Sequence, residues 1–247
     1  QYLKESTLGQ YNGTPYAFLP MASDLSLIVG FSNSSNTHTG GNNVPTWEMI
    51  GSYEEGDARL DASVGIAEGV GEAQDFIIES IHSPVGYTKP EDKEANPYIK
   101  KWVHAHTEKN KTDDNFIIYR YAEVLLFIAE CLNELNRPGE ALTYLNLVRN
   151  RAGLENITET SQSALRDIIA HERRVELAFE NKRWLDLVRT EKAIEVMTAN
   201  RDYIYANYGK GGYLLPNGYQ LAEWKLILPI PEREIIVSEL EQNPNYE

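Results

Sequence analysis

The side chains that could do chemistry here lack the neighbours that most reactions need. His104 and His106 alternate in the run KWVHAHT, so on a strand they would share a face and could grip a metal. No third ligand stands nearby, which favours surface histidines over a metal centre. His171-Glu172 begins like the helix of a zinc protease, but the second histidine that such a site needs one turn later is missing. Gly209-Lys210-Gly211-Gly212 lacks the leading glycine and the following hydroxyl of a nucleotide loop, and Gly65, Gly69 and Gly71 do not have dinucleotide-loop spacing. There is no Gly-x-Ser-x-Gly turn, and Cys131 falls inside an apolar helical stretch where a thiolate is disfavoured. The expectation is no catalytic residue, no metal and no cofactor. The facing carboxylates of a glycoside hydrolase would converge only in three dimensions, so the sequence permits that reading without supporting it.

A second set of charges reads as scaffold. Glu172 and Glu176 fall on the apolar face of a helical pattern and need partners, which Arg149 and Arg151 at the end of the preceding helix can supply. Trp184 reads as a core plug.

These groups must be positioned by a chain of 247 residues, long enough for a real core. Lys and Arg number 23 against 37 Asp and Glu, a net charge of −14, and so acidic a surface repels nucleic-acid phosphates. The single cysteine excludes an internal disulfide and any zinc site built on paired cysteines. No apolar run is long enough to span a bilayer, and the opening QYLKESTLGQ has neither a starting Met nor a signal-peptide pattern. That opening is expected of a processed chain or of part of a longer one.

Residues 1–112 read as loop-rich. The polar run 31–45 is an exposed loop, with short helices at Pro45 to Tyr53, capped by Thr46, and around Ala73 to Ile81. Three helices follow between residue 115 and about residue 190. The first, capped by Asp113 or Asp114, is apolar on almost every side and must be enclosed. Asn136-Arg137-Pro138-Gly139 turns the chain into an antiparallel second helix, Gly153 ends it, and Ser161 or Ser163 caps a third lined by Leu165, Ile169, Glu172, Val175, Glu176 and Phe179. Beyond Glu191 a helical start is expected to open into a long loop over 201–220. An extended Leu228-Pro229-Ile230-Pro231, a short acidic helix from Glu232 and a packed tail ending in Tyr246 follow.

Five ordered blocks carry a resemblance: Arg120-Tyr121-Ala122-Glu123-Val124-Leu125-Leu126, Asn146 to Leu154, Glu172 to Glu180, Arg183 to Arg189, and the closing Leu228 to Pro231 with Gln242 to Tyr246. Together they resemble the C-terminal half of the SusD/RagB family over residues 115–247, with looser likeness at Gly56-Asp57-Ala58-Arg59 and Pro97 to Trp102. The resemblance implies a mainly α fold of tetratricopeptide-like helix pairs with long irregular loops, part of a larger SusD-like right-handed helical superstructure. It implies residues 1–114 as a variable region carrying the ligand surface and 115–247 as helical scaffold. It further implies a non-catalytic lipoprotein on the outer-membrane surface of Bacteroidetes-type bacteria. Such a protein captures oligosaccharide or peptide and hands it to a SusC-like TonB-dependent transporter. The lipid anchor and first repeats would precede Gln1, so the chain is expected to be a fragment or to work with a missing half.

No binding residue carries over from the helical blocks, so the ligand surface must be argued from chemistry. Sugar rings stack their CH faces on Tyr and Trp while their hydroxyls seek Asn, Asp, Arg or Lys. Tyr11 and Tyr16 beside Asn12, Trp47 after the polar loop, Tyr87 with Lys89, and Trp102 with Lys101 fit that description. The rival reading is a helical-repeat scaffold that binds only protein, with a glycoside hydrolase a weaker third.

Overall fold

The computed structural model describes residues 13–31, 40–72, 75–104, 106–108, 112, 117–208 and 221–246. The chain forms two compact units, Gln1–Glu180 and Asn181–Glu247. The fold is mainly helical, and among the described residues no helix is long and apolar enough to cross a membrane.

The first unit has a helical layer of α4 (Tyr121–Glu134), α5 (Pro138–Arg151) and α6 (Gln162–Glu176), preceded by the short helices α1 (Ser26–Val29), α2 (Trp47–Ile50) and α3 (Ala58–Ser63). Asn136 takes φ +58° and Arg137 N–H donates to Leu132 O at 2.8 Å, closing α4, while Pro138 starts α5 where its missing N–H costs nothing. Gly153, at φ +81°, ends α5 as expected. Leu125, Leu126 and Ala129 pack with Ala141, Leu145, Val148, Leu165 and Ile169 to make the helical core. Asn146 ties the α5–α6 connection down, accepting from Ile157 N–H at 2.8 Å and donating to its carbonyl at 3.0 Å.

Four details of this layer differ from expectation. The first helix starts at Tyr121, not Asn115, and the expected Asp113 or Asp114 cap lies outside the described residues. It is not enclosed: α4 packs on α5 and α6, and Tyr121, Val124 and Leu135 stay exposed along its remaining side. Cys131 lies on that exposed side and not in the interior. Phe179 lies beyond α6 in left-handed backbone at φ +68°.

Unforeseen in the sequence is an antiparallel sheet of β1 (Val64–Glu72), β2 (Asp75–His82) and β3 (Glu94–Ile99), in the order β2-β1-β3. β2 occupies the place where a helix was expected around Ala73 to Ile81. Glycines in β1 argue for turns when read locally, because they weaken a strand. Here they admit neighbours: a methyl group at Gly65 would stand 2.3 Å from the Tyr98 ring across the ladder. One sheet face carries Ala67, Phe76 and Tyr98 into a second core with Tyr16, Leu19, Ala22, Leu25 and Val29. Between Glu68 and Gly69 the register with β2 slips from Ser80 to Ile78, leaving Glu79 as the extra residue of a bulge.

In the second unit, α7 (Arg183–Arg189) and α8 (Ala193–Tyr208) are followed by α9 (Glu232–Ser238). α8 runs through 201–208, part of the expected loop, and 209–220 lie outside the described residues. Trp184 is 41% exposed and is no core plug; Leu187 is the buried residue of α7 together with Asp186. The packed ending is present. Gln242 accepts from Ile230 N–H and donates to its carbonyl, and the Trp224 and Tyr246 rings meet edge to face at 5.0 Å.

Candidate functional site

A surface groove of ≈ 560 Å³ is lined by Trp47, Tyr87, Lys89, Lys93, Glu94, Ala95 and Asn96. Trp47 opens α2, whose N-terminus is fixed by Thr46 Oγ1 accepting from Met49 N–H at 3.1 Å. Glu48 beside it accepts from Arg174 of α6 at 2.6 Å, so α2 is tethered to the helical layer while the Trp47 ring stays 41% exposed. Tyr87 is held by its hydroxyl, which donates to Glu68 Oε2 at 2.7 Å, and by its ring, 5.3 Å from that of His82. Burial and the bond to Glu68 push its phenol up to about 12, and the same bond holds the Glu68 carboxyl below its ordinary value. Lys89 Nζ donates to the carbonyls of Pro90 and Lys93, at 3.0 and 2.9 Å. Lys93 Nζ donates to Glu79 Oε2 at 2.6 Å, the carboxylate supplied by the bulge in β2. An exposed indole beside a fixed phenol, with ammonium and amide donors around them, matches the demands of a ring that is apolar on its face and polar on its rim.

The sheet carrying this groove is locked to the helical layer by a buried ionic network. Arg59 of α3, immediately before β1, reaches across the unit: Nη1 donates to Glu172 Oε1 at 2.5 Å and Glu176 Oε2 at 3.0 Å, while Nε and Nη2 grip Asp57. Arg149 bridges Glu172 Oε2 at 3.0 Å to Glu54 at 2.6 Å, and Arg151 Nη2 donates to both oxygens of Glu176. Arg120, the residue before α4, contacts Glu176 through Nη1 and Glu180 through Nε. Lys101, after β3, pairs with Glu180 and donates to the carbonyls of Glu176 and Ala178, at 3.0 and 3.2 Å. Arg59, Arg120, Arg149, Arg151 and Lys101 are thus balanced one for one by Asp57, Glu54, Glu172, Glu176 and Glu180. Burial alone would raise the Glu176 carboxyl, yet its guanidinium partners, Arg120 foremost, hold it below its ordinary 4.5. A carboxylate so held is no general acid.

Of the residues proposed for ligand contact, Trp47, Tyr87 and Lys89 come together in the groove. Tyr11 and Asn12 lie outside the described residues. Tyr16, 3% exposed, is a core residue whose hydroxyl meets His106 Nε2 at 2.6 Å. Trp102, 7% exposed, donates its indole N–H to Phe179 O at 3.1 Å, and Lys101 belongs to the ionic network. Buried rings have no face left for a ligand, so Tyr16 and Trp102 serve packing. The paired roles expected of Arg149, Arg151, Glu172 and Glu176 match their contacts. Sequence reasoning missed Arg59, Asp57, Arg120 and Glu180 in that network and Lys93 and Asn96 in the groove. The looser likeness at Gly56 to Arg59 was the available signal for the first pair. His106 Nδ1 turns to His104 O at 2.7 Å, and among the described residues no cluster of three metal-ligating side chains occurs.

A sequence model of the SusD family matches residues 5–246. SusD-like protein P38 of Formosa agariphila is 38% identical over 117 residues, covering 44% of this chain and 23% of that protein. SusD-like protein P2 of the same organism is 38% identical over 149 residues, covering 49% of this chain and 30% of that protein. The fold is similar to a SusD superfamily protein from Parabacteroides distasonis, with TM-score 0.60 and 25% identity over 100% of this chain and 49% of that one. It is also similar to surface glycan-binding protein A from Bacteroides thetaiotaomicron, with TM-score 0.59 and 26% identity over 95% of this chain and 46% of that one. The chain therefore spans less than a third of the length of these curated relatives and about half that of the solved structures.

Proposed function

The chain belongs to the SusD family, and from that premise we propose that it is the ligand-capturing part of a non-catalytic glycan-binding protein on the outer-membrane surface. The observation that carries this reading is the groove, where the exposed Trp47 ring stands with Tyr87, Lys89 and Asn96. Stacking and hydrogen bonding suffice for capture, and no bond of the ligand needs to be broken. A peptide with an aromatic or apolar side chain would satisfy the same chemistry less fully, because it has fewer hydroxyls for the polar rim. In the whole protein the cargo passes to a SusC-like TonB-dependent transporter, and a lipid anchor holds the protein at the membrane. Supporting this is the similarity to a protein named for surface glycan binding.

The test is a glycan array followed by calorimetry on Trp47→Ala. Loss of at least tenfold in affinity is expected, with unchanged thermal unfolding, because Trp47 lies on a short exposed helix outside both cores. A Trp47→Ala protein that binds as tightly as the parent would remove the groove from the reading.

The exposed side of α4 supports a second, compatible assignment. Tyr121, Val124, Cys131 and Leu135 follow one another at spacings of three, seven and four, the stripe of a helix that packs on another. We assign to it a further tetratricopeptide-like helix pair of the larger superstructure, since solved family chains extend to about twice the length matched here.

A further inference from the structure

One cation of the groove stands apart from the other charges of the protein. At a net charge of −14, most cations here are taken up by carboxylates. Lys89 is not. Its ammonium is held by two neutral main-chain carbonyls, and among the described residues no carboxylate lies within salt-bridge distance of it. An ammonium has three N–H donors, so one remains for a ligand after these two bonds.

The charged groups around it have partners of their own. Glu68 accepts from Tyr87 and from Ser80. Lys93 is neutralised by Glu79. Glu94 leans across the sheet to Gly71, where a methyl group would meet its Oε1 at 2.7 Å. Glu91 and Asp92 are exposed in the turn between the two lysines and do not line the groove.

From this geometry we infer that the groove selects glycans bearing an anionic substituent, a uronate carboxylate or a sulfate ester, which Lys89 receives while the sugar ring packs on Trp47. The inference rests on the glycan-binding reading and adds the charge of the ligand to it. Bonds between ionised partners are about twice as strong as neutral ones. Repulsion from the distant acidic surface is screened beyond about 8 Å at physiological ionic strength, so the local ammonium sets the preference.

The experiment is an array on which acidic glycans stand beside neutral counterparts. Oligogalacturonate is paired with its methyl ester, and sulfated galacto-oligosaccharide with its desulfated form, and the best pair is then titrated calorimetrically. The acidic member should bind at least tenfold more tightly, and Lys89→Gln should erase that preference, weakening the acidic member far more than its neutral counterpart and leaving thermal unfolding unchanged. Which pair shows the preference identifies carboxylate or sulfate. Binding confined to neutral glycans, or an acidic preference that survives Lys89→Gln, overturns the inference and leaves glycan capture standing. A protein that binds no glycan overturns both.

Discussion

Replacing Glu176 with alanine removes the carboxylate on which Arg59, Arg120 and Arg151 converge. Glu176 is 2% exposed, and Arg59, 7% exposed, has little water to turn to once it is gone. Breaking a buried pair in this way costs about 3–5 kcal/mol, mostly through the charge left without its partner. For a unit of this size that corresponds to a fall in Tm of about 6–20 °C. The assay is urea unfolding followed by circular dichroism, comparing the parent with Glu176→Ala and Glu176→Gln. The glutamine keeps the volume and loses the charge, so a similar loss in both variants assigns the cost to electrostatics and not to a cavity. The pH dependence supplies an independent check. Because the folded carboxyl sits below 4.5, its contribution is present above that pH and is lost as pH falls through the folded value. The gap between parent and variant should therefore narrow in acid. A loss below about 1 kcal/mol at pH 7, the size typical of an exposed ion pair, would refute the argument that this network fastens sheet to helices.

Tyr53 gives the opposite sign. Burial pushes its phenol up to about 12, so its contribution is full below pH 10 and is lost as pH rises through 12; at about 1.4 kcal/mol per unit this is about 3 kcal/mol, and Tyr53→Phe should flatten the fall in stability between pH 10 and 12 measured by urea titration. Gly65→Ala should cost about 1–3 kcal/mol by forcing its methyl into the Tyr98 ring, while Gly139→Ala, with open space around it in α5, should gain about 0.4–1 kcal/mol; equal effects would contradict the proposed packing of β1. Val124→Glu combined with Leu135→Glu should lower binding of a hydrophobic dye by the 247-residue chain without loss of helicity, and unfolding by the pair would show that the outer side of α4 is already covered.

The helical layer was legible because its signals are local. The period of Leu125, Leu126 and Ala129, the Asn136 to Gly139 turn and the Gly153 stop each act within a few residues. The pairing of Glu172 and Glu176 with Arg149 and Arg151 was legible for a related reason, since a charged residue on an apolar face must find a partner and the neighbouring helix end offered one. The sheet was not legible. Its glycines are favourable only once Tyr98, Ile77 and Glu94 lie across from Gly65, Gly69 and Gly71, and the bulge that sends Glu79 to Lys93 exists only in a paired ladder.

By itself the sequence determined the family and the helix hairpin, both of which depend on residue types at short spacing. Tertiary structure decided which aromatics meet solvent. Tyr16 and Trp102 have the same local polarity as Trp47 and Tyr87, but the first two rings fill the interior and the latter two flank a groove. It also decided that Arg59, more than a hundred residues before Glu172 and Glu176, completes their network. Burial and charge pairing are sums over neighbours far apart along the chain, and no window of sequence contains them.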